Sequence, residues 1–395
     1  MDARKPDVWA PGSKVAIALS GGGSRAMAFH LGCLTALHGA GILDRTAVIS
    51  AVSGGSVLAA LYCHCPGGFA EFEAKTREIL ARGLVRPALH AALTTTEGIR
   101  ALSNLVPIAA DRCAAAVVRP VSRMLRPRAN EMKGWLQESP LRRRASRTTI
   151  LRRALGKLFE GRKLSELRAD RPKLIVVACE LQTKSAFYFA KDGVGSWRFG
   201  RADPAGVEIA HAVAASAAYP ALLPALDEDM VFEKDGKVTS RRVVLTDGGV
   251  YDNLGLAPLW PDRDPGVSLH ADRYARIVAC RAGYALEHAP PGVFWPSRMH
   301  AAFDSVFARA QNLAMKRLFD LQRSGCIEGF VIPYLDQNDG KLAVPPDGLV
   351  TRDMVTGYPT DFSAMESVWV DKLAKRGEQL TRALLAEHWR LSSAP

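Results

Sequence analysis

The 395-residue chain has no stretch of 18 uncharged apolar residues, which argues against a membrane-spanning helix. Its first residues, MDARKPDVWAPGSK, lack the apolar core of a signal peptide, so the expected location is the cytoplasm. Internal repeats and low-complexity tracts are absent as well. Aromatic residues are few, at 7%, which leaves little for a nucleic-acid stacking platform. The seven cysteines are odd in number and scattered through apolar runs, so a disulfide framework is not expected and buried free thiols are. Cys63-His64-Cys65 has no second ligand pair at zinc-site spacing, and no metal or other cofactor is expected.

What is present is a chain able to form a large core, with 48% apolar residues. Lys14–Leu19 is short and β-rich and ends in Ser20-Gly21-Gly22-Gly23. A helical face follows at Met27, Leu31, Leu34 and Leu37. Ala47–Val52 reads as a second strand and Ser56–Tyr62 as the next helix. Two strand–turn–helix units in sixty residues predict a parallel sheet with buried strands. Further strands are expected at Leu174–Cys179, Ala186–Ala190, Val243–Leu245, Arg276–Cys280 and Ile327–Tyr334. Helices are expected at Ala210–Ala218, through Phe303–Leu321, and from Phe362 to Leu391 with Asp361 or Ser363 as cap.

The turn after the second strand reads Ala51-Val52-Ser53-Gly54-Gly55. A serine at a sharp strand-to-helix turn is pushed out at the sheet edge, and small neighbours let strand and helix approach closely. Free N–H groups at the helix start favour negative charge there. Ser53 is therefore a candidate nucleophile; the competing reading is a serine that merely caps a helix. Gly21-Gly22-Gly23-Ser24-Arg25 exposes successive N–H groups between a strand and a helix, an anion nest suited to an oxyanion. The same glycines fit a dinucleotide fingerprint, but the next strand ends in Val52-Ser53-Gly54 and offers no acidic residue for a ribose. A base is needed. Asp247 follows an apolar strand and precedes Gly248-Gly249; parallel strands would bring it to the same edge, although Asp-Gly is also an ordinary turn pair. Asp252 is a less constrained alternative. None of His270, His288, His300 and His388 sits in a small-residue turn after a strong strand. A two-residue Ser-Asp device therefore fits better than a Ser-Asp-His triad.

Taken together, Gly21–Arg25, Ala51–Gly55 and Asp247–Gly249 resemble the patatin-like phospholipase family. Ala214–Leu226 (AASAAYPALLPAL) is similar to a stretch that family carries before its aspartate, and Tyr358–Met365 (YPTDFSAM) looks like a late element of its bacterial members. The resemblance covers most of residues 14–66 and 172–395. It implies an α/β fold, a three-layer α/β/α sandwich around a mostly parallel sheet, and a metal-free Ser53–Asp247 dyad that hydrolyses lipid acyl esters. Gly21, Gly22, Gly23, Arg25 and Gly54 would surround the oxyanion, Ala51 and Gly55 would support the elbow, and Gly248 and Gly249 would shape the aspartate loop. Two positions depart from the pattern: Ala51 replaces the first elbow glycine, and Ser20 stands where many members have aspartate.

The net charge of +12 is localised. Residues 119–173 hold 17 of the 52 Lys and Arg but only 5 of the 40 Asp and Glu. The expected organisation is a core in two parts, residues 1–84 and 164–340, interrupted by a basic helical insertion or cap over 85–163 and closed by a helical extension over 341–395. The basic segment suits peripheral docking on an anionic membrane, with a solvated cap over the active site as the alternative. Lipid is the expected substrate and no nucleic-acid partner is expected. Acyl transfer on the same site, and a noncatalytic membrane- or nucleic-acid-binding protein, remain alternatives.

Overall fold

The computed structural model describes residues 14–95, 146–220, 222–284 and 292–389. The most basic part of the chain (119–145), Cys113, Trp135 and His288 lie outside the described residues.

The first strand, β1 (Val15–Leu19), is buried along its whole length. Val15, Ile17 and Leu19 join one hydrophobic cluster, and Ala16 and Ala18 join another on the opposite face. This period-two division is that of a strand covered on both sides, the requirement for a parallel sheet. β1 lies between β2 (Thr46–Ala51) and β9 (Arg276–Cys280), both parallel to it, with β10 (Gly329–Val331) outside β9. Beyond β2 lies β3 (Lys173–Glu180), also parallel. From β3 the sheet continues antiparallel through β4 (Ser185–Ala190), β5 (Gly193–Ser196), β6 (Gly200–Ala202), β7 (Leu226–Lys234) and β8 (Lys237–Asp247).

β3 decides where the site forms. One of its edges is paired by β4 from Ile175 to Glu180. Its other edge is shared: Val48–Ala51 of β2 pair with Lys173–Val176, and Leu245–Asp247 of β8 pair with Ala178–Glu180 from the opposite direction. The carboxyl ends of β2 and β8 therefore meet head-on near Val177.

Helices cover both faces. On one side lie α1 (Gly23–Gly39) and α2 (Gly54–His64), which start directly after β1 and β2, followed by α3 (Phe69–Arg82) and α4 (Val85–Thr94). α5 (Arg147–Leu158) enters the same cluster through Leu151 and Leu155. Next comes α6 (Ile209–Ser216), buried throughout. After β8 follow a single turn, α7 (Gly249–Asp252), the long α8 (Trp295–Arg323) on the other face, and α9 (Ser367–His388). α9 runs against α1 at backbone contact: a Cβ on Gly32 would collide with the Ala374 carbonyl, and one on Gly377 with that of Phe29. This fixes the helix whose N-terminus carries the glycine loop. Among the described residues no helix is long and apolar enough to cross a membrane.

Three local expectations change. The last helix starts at Ser367 rather than Phe362, and neither Asp361 nor Ser363 caps it, because both belong to a loop packed on the N-terminus of α1. The strand expected at Val243–Leu245 is the end of an eleven-residue strand, paired in a hairpin with β7 through Asp235-Gly236, both at positive φ (52° and 71°), as a tight hairpin turn requires. The strand expected over Ile327–Tyr334 shortens to Gly329–Val331.

Candidate active site

Ser53 occupies the apex between β2 and α2 at φ 50°, ψ −120°, a conformation side chains rarely adopt. The packing enforces it. A Cβ on Gly54 would strike the Gly23 carbonyl, and one on Gly55 would lie 2.6 Å from the carbonyl oxygens of Leu19 and Ser20. The elbow is thus pressed against the end of β1 and the glycine loop. Ala51 is fully buried in the core beneath. The Ser53 amide donates to Ser216 Oγ (2.9 Å), whose hydroxyl donates to the Val177 carbonyl (2.7 Å). The other serines are placed differently: Ser50 is buried within β2, and Ser56 Oγ donates to the Ser53 carbonyl (2.6 Å).

Asp247 arrives from β8. Its amide donates to the Ala218 carbonyl (3.0 Å), and the Gly248 amide donates to the Ser216 carbonyl (3.2 Å). The Ser216–Ala218 segment at the end of α6 therefore ties both turns together. Gly248 sits against the Val177 carbonyl, where no Cβ fits. The Asp247 carboxyl is 5% exposed and accepts the Gly249 amide at 2.7 Å. Burial pushes its pKa up to about 6, and the Gly249 amide and the nearby Ser53 hydroxyl limit the rise. Ser53, itself 8% exposed, lines the same cleft as Asp247 and lies close enough to lower the carboxyl's pKa. Asp252, the alternative base, is committed to shaping its loop: its oxygens accept the amides of Leu254, Gly255 and Ala257 (3.1, 3.1 and 2.6 Å).

The glycine loop lies beside the elbow. The Ser20 amide donates to the Cys280 carbonyl, the Gly21 amide to that of Asn253, and the Ser24 amide to that of Asp361 (3.1, 3.0 and 2.7 Å). Between them the amides of Gly22 and Gly23 have no acceptor among the described residues, as is true of Gly54. Gly21 therefore shapes the loop, while its two successors present free donors. Ser20, the departure from aspartate, accepts the Ala282 amide (2.9 Å) and so ties the loop to the end of β9. Arg25 donates to the carbonyls of Ala282 (3.1 Å) and Tyr358 (3.0 Å), lies 4.3 Å from the Tyr284 ring centroid, and forms no ion pair among the described residues. It braces the loop and leaves its charge beside it.

Ser53, Asp247, Gly21–Gly23 and Arg25 all line one cleft of about 740 Å³. Its walls are apolar: Leu84, Val85 and Leu89 around α4, Ile150 and Leu151 on α5, Leu222 and Leu223, and Phe303 and Phe307 on α8. The described ends of the expected insertion thus furnish cleft wall.

Several contributors carried no local signal in the sequence. Asn253 supports Gly21 through its carbonyl, and its side chain lies against Gly21 and Gly249. Ser216 falls in the alanine-rich stretch that resembles the family's, but nothing in that stretch marks this serine as a bridge. Of the histidines, His270 is buried, its pKa pushed down to about 3 by desolvation, and is outside the cleft. His300 lines the cleft but lies 3.5 Å from Asp304. The six described cysteines are free, five of them buried and Cys326 exposed.

The family model for patatin-like phospholipase matches residues 17–260, a span that contains both turns. No curated protein matches the sequence significantly. Among solved structures, human GIVD cytosolic phospholipase A2 superposes with a TM-score of 0.54 at 14% identity, covering 95% of this chain and 62% of that one. VipD from Legionella pneumophila aligns over 96% of this chain and 68% of its own, with 14% identity and a TM-score of 0.37. The chain thus spans about three fifths of the human enzyme's length, and that likeness is one of fold.

Proposed function

The chain belongs to the patatin-like phospholipase family, and from that membership we propose that it is a serine acyl hydrolase cleaving fatty-acyl esters of phospholipids or related lipids. The carrying observation is that Ser53 and Asp247 line one apolar cleft, with the serine near enough to act on the carboxyl's pKa, beside the free amides of Gly22 and Gly23. Ser53 Oγ attacks the ester carbonyl while Asp247 takes its proton. A carboxyl with a pKa near 6 is ionised at neutral pH yet more basic than an exposed aspartate, which suits this task. The tetrahedral oxyanion accepts hydrogen bonds from Gly22 and Gly23, with Gly54 and the N-terminus of α2 adding positive potential. Asp247 then protonates the leaving alcohol, and the acyl group remains on Ser53. Water, losing its proton to Asp247, attacks the acyl ester and releases the fatty acid.

Such a substrate lies in a lipid surface, and the cleft rim suits one. Val85 and Leu89, which line the cleft, and Leu93 further along α4 are half or more exposed, as are Val293, Phe294, Trp295 and Met299, which precede the cleft residues His300 and Phe303 of α8. These apolar groups, together with the basic segment 119–173, support peripheral docking on an anionic membrane.

A fluorophosphonate probe tests the chemistry. It should label Ser53 in the wild type and not in Ser53→Ala. Ester turnover should fall by about 10³-fold or more in both Ser53→Ala and Asp247→Asn, with circular dichroism unchanged. Persistent turnover by purified Ser53→Ala would refute the assignment. Product analysis with added alcohols would reveal transfer to an acceptor other than water.

A further inference from the structure

Arg281 follows β9 and is not used by the mechanism above. Its neighbours Cys280 and Ala282 pack into the core under α1, whereas Arg281 reaches the other layer, against α8. Its guanidinium lies 4.3 Å from the Tyr334 ring centroid, and Nη1 is 3.3 Å from Met315 Sδ, a weak acceptor. The Nε–H is buried with no acceptor, and the side chain forms no ion pair among the described residues. One helical turn before Met315 stands Gln311, 7% exposed, with Oε1 buried and unpartnered. Both residues line the cleft that holds Ser53. Gln311 and Asn253 also line an adjoining cavity of about 260 Å³ beneath α8.

The other cleft arginines are placed differently: Arg25 is engaged by two carbonyls, and Arg147 is an exposed group at the rim. Arg281 is a cation without a counter-ion, packed on an aromatic ring and a thioether. One turn along α8 from that thioether, and lining the same cleft, is an amide whose oxygen and nitrogen are interchangeable on rotation, so it too can present donors. A partly dehydrated guanidinium with a free N–H matches a phosphate oxygen in charge and geometry.

We propose that Arg281, assisted by Gln311, is the headgroup-phosphate subsite of the cleft, which makes the substrate a glycerophospholipid rather than a neutral glyceride. This rests on the hydrolase reading above for its catalytic consequence but not for its binding consequence. Arg281 acts on the part of the substrate remote from the scissile ester, so it sets the choice of lipid.

The test compares wild type, Arg281→Gln, Arg281→Lys and Gln311→Leu. In turnover, the ratio of kcat/KM for a phosphatidylglycerol to that for a diacylglycerol of the same chains should fall about tenfold or more in Arg281→Gln. It should recover in part in Arg281→Lys and fall less in Gln311→Leu. An unchanged ratio overturns the proposal. Binding is measured separately by calorimetry with a short-chain ether-linked glycerophospholipid, which cannot be hydrolysed. Wild type should bind it, and Arg281→Gln should bind about tenfold more weakly; equal binding overturns the subsite even if the enzyme is active. A wild type that turns over no ester but shows this binding difference would refute the hydrolase reading and keep the subsite. Inorganic phosphate and glycerol phosphate are the further arms: binding as tight as that of the ether lipid would mean a free-phosphate site and overturn the lipid assignment.

Discussion

At the turn after β2, Ser53 sits at φ 50° with its neighbours pressed onto backbone carbonyls; at the turn after β8, Asp247 leaves an ordinary strand and Gly248 follows with helical angles, φ −59°, ψ −28°. The serine is held by steric enclosure: Gly54 and Gly55 have no room for any side chain, so the chain cannot relax the strained apex. The aspartate turn is packed as closely at Gly248, but its backbone is unstrained; the carboxyl is held by a hydrogen bond and tuned by dehydration, in a residue 5% exposed with a pKa near 6. The same short segment, Ser216–Ala218, anchors both. Aiming a nucleophile is a matter of geometry, and a base is made effective by its environment. In the proposed mechanism the two turns would divide those tasks.

The largest expected effect comes from breaking the steric side. Gly54→Ala puts a methyl group into the Gly23 carbonyl and moves the elbow and the glycine loop together. Fluorophosphonate labelling rate should drop about 10²-fold or more, as expected for misplacement by about an ångström. Gly249→Ala is the counterpart on the other turn. Its new Cβ would meet Asn253 Oδ1 at 2.7 Å and Asp247 Oδ1 at 2.9 Å, side-chain atoms rather than backbone, so it disturbs the proposed base and leaves the elbow in place. Its labelling rate should fall less than that of Gly54→Ala, and an equal fall would show that the carboxyl is placed as strictly as the elbow.

Next in size is the dehydration of Asp247. Its pKa is raised from 3.8 to about 6 on folding, so the folded chain holds this proton more firmly than the unfolded one. Stability is therefore lost as pH rises from about 4 through 6, by about 3 kcal/mol for a shift of this size. Asp247→Asn, which carries no charge, should be more stable than wild type at pH 8 by up to that amount and gain nothing at pH 4. Urea unfolding at the two pH values measures the difference, and a gain independent of pH would contradict a buried, reluctant carboxylate. Wild-type kcat/KM should correspondingly rise through pH 6 as the base ionises.

The smallest effect sharpens the shared anchor. Ser216→Ala leaves the Ser53 amide and the Val177 carbonyl without their common partner, at a cost of about 1–3 kcal/mol. If the clamp positions the nucleophile, kcat should fall more than KM changes. A loss of stability with normal kinetics would make Ser216 a packing residue only.

The residues of the candidate site were largely legible because each sits in a short, contiguous pattern with a local reason. Strand, small-residue turn and helix can be read at Ser53 without knowing what lies across the sheet. The same holds for the triple glycine. β7 escaped because Leu226–Lys234 is charged and buries only Leu226 and Phe232, so no apolar period marks it. The start of α9 was misplaced because Asp361 and Ser363 look like caps in isolation, whereas the Asp361 carbonyl is engaged by Ser24 and the Ser363 carbonyl by its hydroxyl.

The sequence by itself determined the two turns, the buried parallel strands and the charge imbalance, because backbone freedom, hydrophobic period and net charge are properties of neighbouring residues. Only the tertiary structure decided that β2 and β8 end against one edge of β3, that Ser216 joins them, and that Arg281 and Gln311 share the cleft. Strand pairing, desolvation and the satisfaction of buried polar groups depend on which distant segments meet, and no local pattern encodes that.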